Sequence, residues 1–216
     1  MQELQYDNTY MLAKKRQGTI GMSLCLFLIV WIAVAYVLGM CYSQFVPRGI
    51  VSNSLGTILV SDVAQYLVAL PIAMFAMHTV PVAATRQFTM RLRQFGGFFA
   101  ASVPIMYIGN MLGIVLALLL TGGKAENHVS EIIESGSAWE TMVFVVILAP
   151  IMEEWLFRKQ ILSRLRVYGE KRAIVFSALA FALFHMNIFQ FFYAFGLGLV
   201  FGYLSLIHIS DGAREA

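Results

Sequence analysis

The sequence predicts an all-α fold, a polytopic transmembrane helix bundle with about six membrane segments. Three observations predict it. Of 216 residues, 59% are hydrophobic and only 12% charged, with a mean hydropathy of +0.75. Soluble domains carry about 25% charged residues, so depletion on this scale implies a surface that faces lipid. Several uncharged or nearly uncharged runs reach the roughly 20 residues a spanning helix needs. Finally, Lys and Arg concentrate in alternate short loops, as they do when those loops stay on the cytoplasmic side.

The elements follow in order. Residues 1–18 read as a cytoplasmic arm carrying Lys14, Lys15 and Arg16. Thr19 to Tyr42 has no charged residue and is too long for a signal-peptide core, so it is expected to be an uncleaved anchor. Thr57 to Val80 is the second segment, interrupted by Asp62, Gln65, Pro71 and His78. Phe95 to Thr121, again uncharged, is the third. A fourth starts near Trp139, is apolar from Met142 through Pro150, and runs into Glu153, Glu154 and Arg158. Ala173 to His185 and Ile188 to Leu206 are the fifth and sixth, with the bend between them marked by Asn187.

Charge placement gives the topology. Arg86, Arg91 and Arg93 lie between segments two and three, and Arg164, Arg166, Lys171 and Arg172 between four and five. The alternate loops carry Arg48 alone, or Lys124 against Glu126, Glu131 and Glu134. A cytoplasmic N-terminus in a cell membrane follows. The net charge of +3 is no footprint for a nucleic-acid partner. Cys25 and Cys41, two thiols in one apolar run, exclude a disulfide scaffold or zinc module and read as apolar packing residues.

Chemistry is expected where charge interrupts apolar sequence. An ionised side chain at the centre of a membrane helix costs about 3 kcal/mol on insertion scales, so such groups face protein or water. Glu154 and Arg158 are four apart and share a helix face, where an ion pair keeps Glu154 ionised and holds its rotamer. Glu153 points about 100° away around the helix and is the freer carboxylate, suited to act as a base. A plainer account has the helix leaving the membrane there, with Arg158 and Lys159 at the headgroups. Two adjacent carboxylates after Pro150 fit that account less well.

His185 ends the run Phe181-Ala182-Leu183-Phe184-His185. Alone it suits a helix end at the interface. Beside a carboxylate, an imidazole can hold and polarise a water. Asp62 and Gln65 share a face and can bond to each other, His78 sits at a membrane edge, and His128 belongs to an acidic loop. Gly196, Gly198 and Gly202 read as close helix-packing positions.

Glu153-Glu154-x-x-x-Arg158 followed by Phe181-x-x-x-His185 resembles the first two motifs of the CPBP family, the type II CAAX prenyl endopeptidases and bacterial Abi proteins. The stretch Phe195 to Leu204 is similar to that family's next helix, so the resemblance covers about Glu140 to Leu204. It implies a partial protease core over 139–204, preceded by membrane helices over 19–138. It also implies an intramembrane endopeptidase in which Glu153 activates a water, His185 holds it, and Glu154 and Arg158 organise the site. Two chemistries stay open. One is a metalloprotease holding a divalent ion such as zinc through Glu153, Glu154 and His185; the other is a metal-free, glutamate-activated water. The substrate is expected to be a peptide or membrane protein within the lipid bilayer; in a bacterium, where CAAX prenylation is generally absent, bacteriocin-related precursors also qualify.

One departure bears on activity. The family's third motif, His-x-x-x-Asn, is expected to stabilise the oxyanion. None follows Leu204: His208 has Gly212, not Asn, four residues on. Residues 205–216 also resemble a translated transposon end, so they are expected to be non-native and the chain an inactive fragment. Two other functions compete with proteolysis. A non-catalytic immunity or partner-binding scaffold predicts no effect of Glu153→Gln. A proton-coupled transporter subunit predicts flux through Glu153, Glu154 and His185.

Overall fold

The computed structural model describes residues 2–47, 53–82 and 92–214, with side chains described over a slightly narrower set that excludes residues 206–214. Arg48, Arg86 and Arg91 therefore lie outside the described residues, as does the side chain of His208. Every element described is helical, and no strand occurs among the described residues. Among the described residues, four helices are long and apolar enough to cross a membrane: Tyr10–Phe45, Ser54–Ala76, Leu92–Thr121 and Ile188–Ser205. These answer to the first, second, third and sixth expected segments. The fourth is helical but punctuated by Glu140, Glu153, Glu154 and Arg158, and the fifth is a 15-residue helix.

The chain divides into two compact units, Met1–Pro81 with Val129–Met152, and Val82–His128 with Glu153–Ala216. In the first, α1 (Gln2–Phe45) packs against a second helical stretch. That stretch comprises α2 (Asn53–Asp62), a π-helical segment (Val63–Ala69) and α3 (Leu70–Ala76). Ile20, Leu24 and Phe27 of α1 are buried, as are Ala64, Ala69 and Ala73 of its partner. Three alanines on one face let two backbones approach closely, which is how helices associate without a hydrophobic driving force in lipid. Cys25 and Cys41 are free thiols on the exposed side of α1, so they face the surroundings rather than packing in the core as expected. Large apolar side chains such as Met22, Phe45 and Phe75 are likewise exposed, as a lipid-facing surface requires.

Two of the chain's π-helical segments have a local cause. Val63–Ala69 ends two residues before Pro71, and Thr141–Leu148 ends two residues before Pro150. A proline ring clashes with the carbonyl four residues back and removes one N–H. Widening the preceding turn to i→i+5 bonding makes room, and the Leu70 N–H bonds to the Gln65 carbonyl in that way.

The second unit holds α4 (Leu92–Thr121), then α9 and α10 after the intervening elements. Those are α5 (His128–Ser135), α6 (Ala138–Glu140), α7 (Ala149–Glu153), a third π-helical segment (Glu154–Leu162) and α8 (Ser163–Leu165). Of these, α5 from Val129 on, α6, and α7 as far as Met152 belong to the first unit. A capping box in which Ser137 and Glu140 satisfy each other's backbone N–H groups starts α6. The chain then turns at Gly169 (φ 127°) into α9 (Glu170–Phe184), and a three-residue turn leads to α10 (Ile188–Arg214).

Helix α10 packs on both α4 and α9, and glycine sets both approaches. A Cβ on Gly113 would stand 2.7 Å from the Ile188 carbonyl oxygen, and one on Gly109 would strike the backbone of Tyr193. On the other side, a Cβ on Gly198 would stand 2.8 Å from the Ala178 Cα, and one on Gly202 3.2 Å from Ile174. The expected packing role of Gly198 and Gly202 is seen, and Gly196 likewise abuts Ile105. Gly109, Gly113 and Ala117 form a matching small-residue stripe at four-residue spacing on α4, all buried.

Candidate active site

The anomalous charges lie on the third π-helical segment, Glu154–Leu162, the only one of the three with no proline two residues beyond it. Its buried face is Leu156, Phe157, Arg158, Ile161 and Leu162. Phe157 lies edge-on to Phe181 and Phe184 of α9, with ring centroids 5.2 and 5.1 Å away. The Ser177 hydroxyl donates to the Phe157 carbonyl at 3.0 Å, a bond between helices. Wide helical turns of this kind occur often at functional sites.

Arg158 is the least ordinary residue of the segment. Its side chain is 6% exposed. Its Nε lies 3.4 Å from the Glu154 Oε1, confirming the expected ion pair. The guanidinium also lies over the Phe181 ring at 4.8 Å and the Phe201 ring at 5.8 Å, so residues of α9 and α10 flank it. Its three nitrogens have no hydrogen-bond partner at normal geometry. Aromatic faces and one carboxylate therefore hold the charge in place. Glu154 remains 49% exposed. Glu153 is half-buried, and no ion pair within 4.0 Å joins it to any cation among the described residues.

His185 caps the C-terminal end of α9. Its Nδ1–H donates to the Phe181 carbonyl at 2.9 Å. A carbonyl can only accept, so in the neutral ring Nε2 carries the lone pair and is open to a water or substrate proton. The ring stands edge-on to Phe181 at 4.8 Å, and the Tyr193 ring is 6.5 Å away. Phe181 thus serves both halves of the site: one face meets Arg158, and its backbone and ring edge orient His185.

The turn after His185 is held tightly. Met186 adopts φ 44°, the left-handed region that non-glycine residues rarely occupy. Asn187 Oδ1 accepts from the Phe189 N–H at 3.0 Å and so caps α10, while its Nδ2 donates to Asn127 Oδ1 at 3.0 Å. The expected bend at Asn187 is therefore a helix cap.

The residues expected to act together are partly gathered. Glu154 and Arg158 pair, and Arg158 and His185 share Phe181. No ion pair joins Glu153 to His185 among the described residues. Unliganded sites often have long catalytic contacts that tighten with substrate. Glu153, Glu154 and His185 do not form a three-ligand group among the described residues. Arg164, expected as a loop charge, is buried, and its Nη1 donates to the Gln160 carbonyl at 3.0 Å.

Asp62 and His78 belong to the first unit. Asp62 Oδ2 is buried without a hydrogen-bond partner, so no bond from this oxygen to Gln65 forms. His78 Nδ1–H donates to the Phe75 carbonyl at 2.6 Å and its ring stacks on Phe75, an ordinary helix-end arrangement. The side chain of His128 lies outside the described residues. Sequence reasoning missed Phe181 as more than a motif letter: its ring also meets the Arg158 guanidinium.

Residues 135–209 match the model of the family described as type II CAAX prenyl endopeptidase Rce1-like. The matched segment contains Glu153, Glu154, Arg158, Phe181 and His185. No curated protein and no solved structure matches the chain.

Proposed function

We propose, from the similarity of residues 135–209 to type II CAAX prenyl endopeptidases, that this chain is an intramembrane endopeptidase whose base is Glu153. The observation that carries the division of labour is the Glu154–Arg158 pair. It places one carboxylate of the doublet against a buried guanidinium, while no ion pair within 4.0 Å joins Glu153 to a cation among the described residues. Glu153 removes a proton from water as the oxygen attacks the peptide carbonyl, and later returns that proton to the leaving amine. His185 accepts a hydrogen bond from the same water through Nε2, an orientation supported by its Nδ1–H bond to Phe181. Arg158 holds Glu154 and braces α9 through Phe181. The substrate is a peptide or membrane protein reached from the bilayer, and the N-terminal arm lies in the cytoplasm.

The test is cleavage of quenched-fluorophore peptides, prenylated at a CAAX cysteine and unprenylated, by the full-length protein in detergent micelles. Glu153→Gln and His185→Ala are each expected to lose about 10²–10⁴-fold in rate, the usual worth of a positioned acid–base group. Both variants should keep the unfolding midpoint of the parent. Retained cleavage in both excludes this mechanism.

A further inference from the structure

The bend that follows His185 is held by α4 and by the loop that leaves it. Gly113 of α4 lies against the carbonyls of Ile188 and Phe189, in the first turn of α10. Past the end of α4 at Thr121, Gly122 (φ 62°) and Gly123 (φ 85°) turn the chain, and the Gly123 N–H bonds back to the Leu118 carbonyl at 2.9 Å. The loop then brings half-buried Asn127 to half-buried Asn187, sixty residues later in the chain, at 3.0 Å. The backbone fixes which way these amides point. The Phe189 N–H can only donate, so the Asn187 atom it meets at 3.0 Å is Oδ1, and the Asn187 NH2 faces Asn127. Asn127 therefore serves as the acceptor, through its Oδ1. The Asn187 carbonyl also accepts from the N–H groups of Gln190 and Phe191, at 3.1 and 3.0 Å, so Asn187 is built into the start of α10. Between it and His185 stands only Met186, whose φ of 44° persists in a non-glycine residue only where the surroundings hold it.

We infer that Asn127 is a positioning residue for the reaction: by accepting from Asn187 it holds the bend after α9 in the conformation that sets His185 toward the reacting water. The inference rests on the proposed proteolytic function. It adds a residue that lies outside the segment 135–209 matched by the family, on a loop with no charge or motif to mark it. Asn127 touches neither the water nor the peptide and exchanges no proton. It acts through Asn187, which in turn fixes the left-handed Met186 and so the end of α9 that carries the imidazole. Release of the bond lets Met186 leave its strained conformation, and His185 moves with it while the Phe189 N–H cap of α10 survives. A displaced polarising group affects the chemical step more than it affects peptide binding, so the loss falls mainly on kcat.

Asn127→Ala removes the acceptor and leaves the cap on Phe189 in place. In full-length protein with the same fluorogenic peptides, assayed well below the unfolding midpoint, kcat is expected to fall about 10–10²-fold with KM nearly unchanged. Asn127→Asp keeps an oxygen facing the Asn187 NH2 and is expected to keep the parental kcat. Because both amides act through one bond, Asn127→Ala should add no loss to Asn187→Ala. Parental kcat in Asn127→Ala, whether or not its midpoint falls, overturns the inference, as does a loss that appears in KM alone. An Asn127→Asp as slow as Asn127→Ala overturns it too, and so do losses from Asn127→Ala and Asn187→Ala that simply multiply. In each of these cases an inactive Glu153→Gln leaves the proposed function standing. Cleavage retained in both Glu153→Gln and His185→Ala overturns the proposed function, and the Asn127 assignment with it. Parent protein that does not cleave overturns both.

Discussion

Gly113→Ala tests whether the α4–α10 approach sets the site. The added Cβ would stand 2.7 Å from the Ile188 carbonyl oxygen, 2.8 Å from that of Phe189 and 2.9 Å from the Phe189 Cα. All three are backbone atoms and cannot rotate away. Ordinary contact begins at 3.4 Å, so the first turn of α10 has to retreat by about 0.7 Å. Overpacking of this kind costs typically 1–3 kcal/mol. Alanine recovers about 0.5–1 kcal/mol of helix preference over glycine, which a control can remove. Gly97→Ala lies on the same helix with nothing within 4 Å of its Cβ, so it takes the gain without the clash. The two variants are expected to differ by about 1–3 kcal/mol in unfolding free energy, measured by thermal and denaturant unfolding in micelles. Because the displaced turn follows His185 and carries Asn187, cleavage should also fall, by up to about 10²-fold for a shift approaching 1 Å. If Gly113→Ala unfolds at or above the Gly97→Ala midpoint and cleaves normally, the close approach does not constrain the site.

Two further outcomes follow from the geometry. Arg158→Lys is expected to be non-conservative, losing about 0.5–2 kcal/mol and most activity. A lysine cannot lay a planar cation over Phe181 and Phe201, and unfolding and cleavage assays on one preparation check it. Asn187→Ala removes the cap of α10 and the bond to Asn127, and should lower stability by about 0.5–2 kcal/mol, read as a fall in the unfolding midpoint.

Much of this architecture is legible in the sequence because lipid makes hydropathy nearly decisive. The uncharged runs from Thr19 and Phe95 become the long helices Tyr10–Phe45 and Leu92–Thr121, and the interrupted run from Thr57 still becomes Ser54–Ala76. The Glu154–Arg158 pair is legible too, since four-residue spacing is a local relation that survives the wider helix. What could not be read is mostly long-range. Nothing near Arg158 in sequence announces Phe181 and Phe201, which arrive from two later helices. That, among the described residues, no ion pair joins Glu153 to His185 and no three-ligand cluster forms depends on helix placement, to which spacing is blind. Gly109, Gly113 and Ala117 are a different case: their four-residue spacing is visible, but in an uncharged helix it draws no attention until α10 is seated on it. Two of three π-helical segments are foreshadowed by Pro71 and Pro150, and the third has no such sign.

That third segment divides the labour along one helix. In a regular helix each residue is rotated about 100° from the last, so moving the carboxylates would also move the packing face. Across a wide turn the two faces lose that fixed phase. Leu156, Phe157, Ile161 and Leu162 stay buried in the protein while Glu153, just upstream, is half-buried at its own azimuth. A one-residue deletion within 154–162 would restore the ordinary phase and force a choice between a packed helix and an aimed carboxylate. Where the charged side chains of this segment lie is therefore set by the width of its backbone turn as much as by their spacing in the sequence.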